Sequence, residues 1–220
     1  SGYSLNKNLS KPLIIMGAGG HAKVIIDMLG LMGAEILGLV TPDIKVGDVF
    51  CNLKILGDDS YIHNFKNDEV FLINGIGSLP NKKDRWKVAL KMRNEGYQFA
   101  SVIHPKAIIA SNVELDEGIQ IMPGVVIQSG SKIGKDTIIN TGVLIDHDCN
   151  IAENCHLAPG SSLCGGVEIG ANTHIGAGST VTEYVSIGLN CSINAGSLVV
   201  KKVQDNSLFK QPFETVIKLK

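Results

Sequence analysis

With 220 residues, 20 Lys and Arg against 21 Asp and Glu, and a formal net charge of -1, the chain has no basic field to hold nucleic acid or an anionic membrane surface. No stretch approaches the roughly 18 to 20 apolar residues of a membrane span, and the opening "SGYSLNKNLSK" lacks the apolar run of a signal peptide, so a cytoplasmic protein is expected. The cysteines, Cys51, Cys149, Cys155, Cys164 and Cys191, form no CxxC pair and no zinc-type spacing, and reduced thiols are expected.

In chain order, "KPLIIMGAGGHAKVIIDMLGLMG" predicts a short apolar strand, a glycine turn and an amphipathic helix, followed by a second strand, "EILGLVTPD". Then come "EVFLINGIGS", a strand ending in glycines, the helical "NKKDRWKVALKMRNEGY", and "QFASVIHP", which feeds the next region. This alternation over residues 1–100 predicts a Rossmann-like α/β domain with a small parallel, doubly wound sheet. Gly17, Gly19 and Ala22 spell G-x-G-x-x-A at the first strand-to-helix turn, where backbone N–H groups and the helix dipole suit a phosphate. The acidic residue expected about 20 residues further on is Asp43, late and directly after Pro42. Three readings of the turn stay open: a dinucleotide site, a site for another phosphorylated ligand, and a structural turn. His21 inside it is an imidazole that a purely structural turn does not need.

From residue 102 the chain divides into six-residue units, running from VIHPKA through LIDHDC, NIAENC, HLAPGS and SLCGGV to LVVKKV. The second position is always Ile, Leu or Val, from Ile103 to Val199, and the sixth is mostly small or β-branched. Period six fits neither a 3.6-residue helix nor simple alternation; it is the pattern of a parallel β-helix, expected over 101–203 and followed by a tail, 204–220. Gly118, Gly124, Gly130 and Gly142 mark turns that need positive φ. If each coil has three faces, residues three units apart stack at one strand spacing of about 4.8 Å. The inward Cys149, Cys155 and Cys191 then read as small core residues.

Stacking places Gly165 one coil above His147, with Ser129 below and Glu183 beyond, and aligns His156 with His174 on an outward column. Asp146 and Asp148 flank His147, and either could fix its tautomer and raise its basicity. A base beside an unshielded backbone N–H, without a nucleophilic Ser or Cys in partnership, suits direct acyl transfer. His147 would deprotonate an attacking amine or hydroxyl while the Gly165 N–H steadies the oxyanion on a thioester carbonyl. The plainer alternatives are solvated outward histidines and, for Cys164, either a reactive thiol or an incidental neighbour.

The segments "GAGGHAKV", "IHPKA" and "NTGVLIDHDCNIAENCHLAPGSSLCGGVEIG" resemble the bacterial nucleotide-sugar acetyltransferases of the hexapeptide-repeat superfamily. That group spans bacillosamine-pathway and perosamine N-acetyltransferases and sialic acid O-acetyltransferases. The resemblance runs from about residue 12 to 203. It implies an N-terminal domain holding a UDP- or GDP-linked amino sugar, a left-handed β-helix holding acetyl-CoA, and a homotrimer with sites between subunits. By the same resemblance His147 is the general base, Asp148 its orienting acid, Gly165 the oxyanion donor, and His156 a contact to the acetyl group or coenzyme. Gly166 and His174 are expected beside the coenzyme. Gly17, Gly19, Gly20, His21, Asp43 and Gly77 are expected to line the sugar-nucleotide pocket, with no metal ligand set. The ending "SLFKQPFETVIKLK" departs from the family's "GxPA" turn.

The expected activity is acetyl-CoA-dependent N-acetylation of a nucleotide-linked 4-amino-6-deoxy sugar. Its nearest alternative is O-acetylation, as of sialic acid. Two further alternatives are a metalloenzyme of the γ carbonic anhydrase type, with Zn²⁺ between His156 and His174, and a non-enzymatic nucleotide-sugar sensor.

Overall fold

The computed structural model describes residues 9–80 and 82–211. Residues 1–8 of the opening segment and 212–220 of the expected tail lie outside the described residues.

The N-terminal domain contains strands β1 (Leu13–Met16), β2 (Ile36–Val40), β3 (Val49–Phe50), β4 (Leu53–Gly57) and β5 (Phe71–Asn74), with helices α1 (Gly20–Leu31) and α2 (Asp84–Asn94). The sheet order is β3-β4-β2-β1-β5, parallel except where β3 pairs antiparallel with β4. Strand alternation decides which helix each residue meets. Leu13 and Ile15 pack with Ala22, Ile25 and Leu29 of α1, whereas Ile14 and Met16 pack with Ala89 and Met92 of α2. The expected doubly wound sheet is therefore present, buried on both faces. The β3–β4 hairpin is an addition to the expected elements. Its turn puts Cys51 and Asn52 at φ +49 and +64, the left-handed pair of a type I′ turn, without the Asn-Gly or Asp-Gly that usually signals one.

From Val102 onward the chain is a three-sided parallel β-solenoid, the left-handed β-helix of hexapeptide repeats. Two-residue strands occupy the first two positions of each unit, and each pairs in parallel with the strand one coil above, as Val126↔Leu144 and Leu144↔Ser162 do. The first face carries Gln120, Ile138, His156 and His174 at its outward positions, the second Ile108, Val126, Leu144 and Leu198, and the third Glu114, Lys132, Asn150 and Glu168. Second-position residues such as Ile121, Ile139, Leu157 and Ile175 fill the core. Each such side chain contributes about 1.5–3 kcal/mol by leaving water. Sixth-position polar groups donate to carbonyls of the coil above. Ser131 Oγ reaches Asp146 O at 2.8 Å, Cys149 Sγ reaches Cys164 O at 3.2 Å, and Cys155 Sγ reaches Gly170 O at 3.2 Å. The inward thiols are thus buried, free and hydrogen-bonded. One further rung, Leu208–Phe209, pairs with Ser192–Ile193 within the segment expected as a tail.

The α/β domain sits on the solenoid's first face. Val102, Met122 and Ile138 join the cluster on the α1 side of its sheet. Arg93 of α2 pairs with Asp136 at 2.9 Å and with Glu117. Among the described residues no helix is long and apolar enough to cross a membrane.

Candidate active site

His147 lies at the corner between the second and third faces. Its Nδ1 donates to Asp148 Oδ2 at 2.9 Å, and its backbone N–H donates to Asp146 Oδ1 at 2.7 Å. Of the two flanking acids, Asp148 therefore holds the ring and Asp146 the backbone. With Nδ1 as donor, Nε2 is left as the acceptor. The hydrogen bond from Asp148, chiefly, raises the pKa of this exposed imidazole above its ordinary value, against a smaller opposing effect of desolvation. Asp148 adopts φ +58, and Gly130 one coil below lacks the Cβ that would strike its carboxylate.

The glycine pair above has two distinct roles. A Cβ on Gly165 would lie 2.6 Å from both Cε1 and Nε2 of His147, so only glycine lets the ring lie flat against that backbone. Its backbone requires no glycine, whereas Gly166 adopts φ +67. The Gly166 N–H is occupied by His147 O at 2.9 Å, and among the described residues the Gly165 N–H has no hydrogen-bond partner. A carboxylate-held imidazole and an open backbone donor thus adjoin at one corner. Cys164 is half-buried, and burial raises its thiol pKa, an effect that nearby Glu183 reinforces; both work against a thiolate nucleophile.

The glycine turn gathers at the carboxyl ends of β1 and β5. Gly17 adopts φ +94, and a Cβ there would lie 2.9 Å from Ile76 Cγ1. Gly19 is the uncapped N-cap of α1, and Cβ atoms on Gly19 or Gly20 would meet open space. Gly77 faces His21: a Cβ added to Gly77 would lie 3.5 Å from His21 Cβ. Asp43 stands exposed beyond the end of β2, its N–H bonded to Thr41 Oγ1. The turn presents free helix-terminal amides at the sheet edge where doubly wound folds bind ligands.

His21 also connects the turn to the solenoid, a link not read from sequence. Its Nε2 donates to Gln120 Oε1 at 2.7 Å, and Arg85 Nη2 donates to the same oxygen at 3.0 Å. Gln120 Nε2 returns a bond to Asn74 O, while Arg85 Nη1 reaches the carbonyls of Asn74 and Ile76 at 2.8 and 2.7 Å. Burial, and then the Arg85 charge, lower the His21 pKa to about 4, so the imidazole is neutral at pH 7.

His156 and His174 stack as expected, ring centroids 4.8 Å apart, but neither stands out in solvent: His156 is buried and His174 half-buried. The N-terminal domain covers them. His156 is 9 % exposed, donates from Nδ1 to Ser78 O at 3.1 Å and accepts from Asn140 Nδ2 at 3.1 Å. Both its nitrogens are engaged, so a Zn²⁺ shared with His174 finds no free donor on it. Among the described residues no group of three His, Cys, Asp or Glu side chains could hold a metal ion. His174 Nδ1 has no partner there and lines a cavity of about 270 Å³ with Asn154, Asn172, Asn190, Lys83 and Trp86. This histidine face is one side of the triangular prism and the His147 corner is the edge opposite it. The expected coenzyme set of His156, Gly165, Gly166 and His174 is therefore not assembled within one chain.

The buried histidines make the domain junction acid-sensitive. Burial, with the neighbouring His174, His21 and Arg85 charges, lowers the His156 pKa to about 3. Both folded pKa values lie below the unfolded value of about 6.5, so the unfolded chain binds more protons between them. Stability present above pH 6.5 is lost as pH falls through about 4 for His21 and about 3 for His156. Thermal melts should show the midpoint falling across this window, and His156→Asn with His21→Asn should flatten the fall.

A solenoid that sets a carboxylate-held imidazole against an open amide, with a glycine-turn domain on another face, defines a hexapeptide-repeat transferase. Residues 12–92 match the family described as PglD N-terminal domain, and residues 148–183 match bacterial transferase hexapeptide (six repeats). Among solved structures, perosamine N-acetyltransferase from Caulobacter crescentus, in complex with CoA and GDP-perosamine, is 34% identical with a TM-score of 0.83, over 90% of this chain and 93% of that one. The acetyltransferase domain of PglB from Neisseria gonorrhoeae, in complex with acetyl coenzyme A, is 24% identical with a TM-score of 0.82, over 90% and 95%. WeeI from Acinetobacter baumannii shares the fold at 21% identity and a TM-score of 0.80, over 90% and 96%. No match was found among the curated proteins compared. The chain belongs to the bacterial nucleotide-sugar acetyltransferases of the hexapeptide-repeat superfamily, and it is an acetyltransferase.

Proposed function

We propose that the protein transfers acetyl from acetyl-CoA to the 4-amino group of a nucleotide-linked 4-amino-6-deoxy sugar, with His147 as general base. The observation that carries this reading is the 2.9 Å Asp148–His147 pair lying against the open amide of Gly165. Nε2 takes the proton as the sugar amine attacks the thioester carbon. The Gly165 N–H stabilises the charge forming on the carbonyl oxygen, and the thiolate of CoA leaves. No acyl-enzyme intermediate is needed. The α1 N-terminus with Gly17, Gly19 and Gly20 suits the diphosphate of the sugar nucleotide, with His21, Gly77 and Asp43 around it. The first-face cavity, with its asparagine carboxamides, Lys82 and Lys83, suits the amide-bearing and phosphate-bearing arm of the coenzyme.

The site works as a homotrimer. His147 and the His156–His174 face lie on opposite sides of one solenoid, so only a neighbouring copy can bring them to one substrate. The second face supplies the contact: Ile108, Leu144 and Leu198 are 67%, 49% and 48% exposed, apolar positions, with Ser162 and Thr180 between the last two, on a face that no described element of the chain covers. Mixed subunits test this. His147→Ala should be inactive alone, as should His156→Asn with His174→Asn, and refolding the two together should restore about a quarter of wild-type activity by random assembly around a threefold axis. No recovery from folded mixed oligomers would place the whole site on one chain.

A further inference from the structure

Every fifth position of the repeat from Gly118 to Gly196 adopts φ between +55 and +77. The occupants are Gly, Asn and Asp, the residues that tolerate this conformation, with one exception, Tyr184 at φ +58. A bulky side chain held in left-handed backbone, yet 76 % exposed, gains nothing in burial to offset its strain. Its place explains it. Tyr184 stands one coil above Gly166, and a Cβ on Gly166 would lie 2.5 Å from Tyr184 Cδ1, so the ring rests on that glycine as the His147 ring rests on Gly165. Two adjacent glycines thus seat two rings, the base and a tyrosine.

Height along the solenoid separates the two substrates. The glycine turn is tied to the solenoid through His21 and Gln120, one coil below that of His147, so an acceptor held in the turn approaches the neighbouring subunit's His147 from below. Tyr184 lies above Gly165, in the coil that also carries His174 and Asn190 of the first-face cavity. We infer that Tyr184 grips the acetyl donor: its ring, seated on Gly166 beside the transfer point, walls the path by which the thioester arm rises toward the neighbouring subunit's cavity. This rests on the acetyl-CoA reading above and adds a residue to it. Tyr184 is a binding residue and takes no part in proton transfer.

Titration of CoA into the full-length oligomer by calorimetry tests this directly, with Tyr184→Asn to remove the ring while keeping a residue suited to the turn. CoA affinity should fall by about tenfold, the scale of one buried aromatic contact in an interface. Tyr184→Phe should bind within about twofold of wild type, since the ring remains. In turnover, Tyr184→Asn should raise the KM for acetyl-CoA and leave that for the acceptor sugar unchanged, with a thermal midpoint no lower than wild type. Unchanged CoA affinity, a raised acceptor KM alone, or dissociation of the oligomer in Tyr184→Asn would overturn the assignment. Failure of the wild-type protein to bind CoA would overturn the acetyl-CoA reading, and this assignment with it.

Discussion

His147→Ala should lower acetyl transfer by about 10²–10⁴-fold, the usual worth of a positioned general base, while CoA binding persists. The ring is exposed, bonded to Asp148 and set against Gly165, and it is no part of the buried solenoid core, so its removal leaves that core intact. The same geometry fixes the pH dependence. The base acts when neutral, and the Asp148 hydrogen bond raises its pKa above 6.5, so kcat/KM should rise with pH through that raised value. Asp148→Asn removes the cause of the shift. The rising limb should move to lower pH and the plateau should fall, because the tautomer that exposes Nε2 is no longer enforced. A plateau unchanged in His147→Ala would remove the residue from the chemistry.

Gly165→Ala should be nearly as damaging with a smaller chemical change. The added methyl would sit 2.6 Å from Nε2 of His147, and the backbone there is unstrained for alanine, so the variant should fold normally while the imidazole is pushed off its seat. A displacement of about 1 Å at a reacting group costs on the order of a hundredfold in rate. The expected outcome is such a loss in kcat, with melting temperature and CoA affinity close to wild type. Near-normal turnover would mean that the ring does not act from this position.

The solenoid was legible because its signal is redundant. An aliphatic residue at every second position from Ile103 to Val199 fixes the phase, and the phase fixes which residues stack, so the His147–Gly165 neighbourhood followed from counting. The Asp148 bond was one of two flanking options, and only side-chain geometry separates Asp148 from Asp146. The docked face was less legible. Gln120, His156 and His174 occupy the same repeat position as the exposed Glu114 and Lys132, and period six says nothing about what a distant segment covers. Gln120 meets His21 across 99 residues, and Arg85 sits in a helix whose pattern does not mark it as a buried cation. Tyr184 carried a readable signal, an aromatic residue in a turn position otherwise held by Gly, Asn and Asp. The β3–β4 hairpin carried almost none, since Cys51-Asn52 is a rare way to write its turn.

The central claim is acetyl transfer to a nucleotide-linked amino sugar at the His147 corner. The most direct measurement is thiol release from acetyl-CoA against a panel of UDP- and GDP-linked 4-amino sugars and free sialic acid, with products weighed by mass spectrometry and His147→Ala as control. One nucleotide-linked amino sugar should gain a single acetyl group on nitrogen, and the gain should vanish with His147→Ala. Acetylation of sialic acid alone, or no acetylated product from any acceptor, would contradict the account.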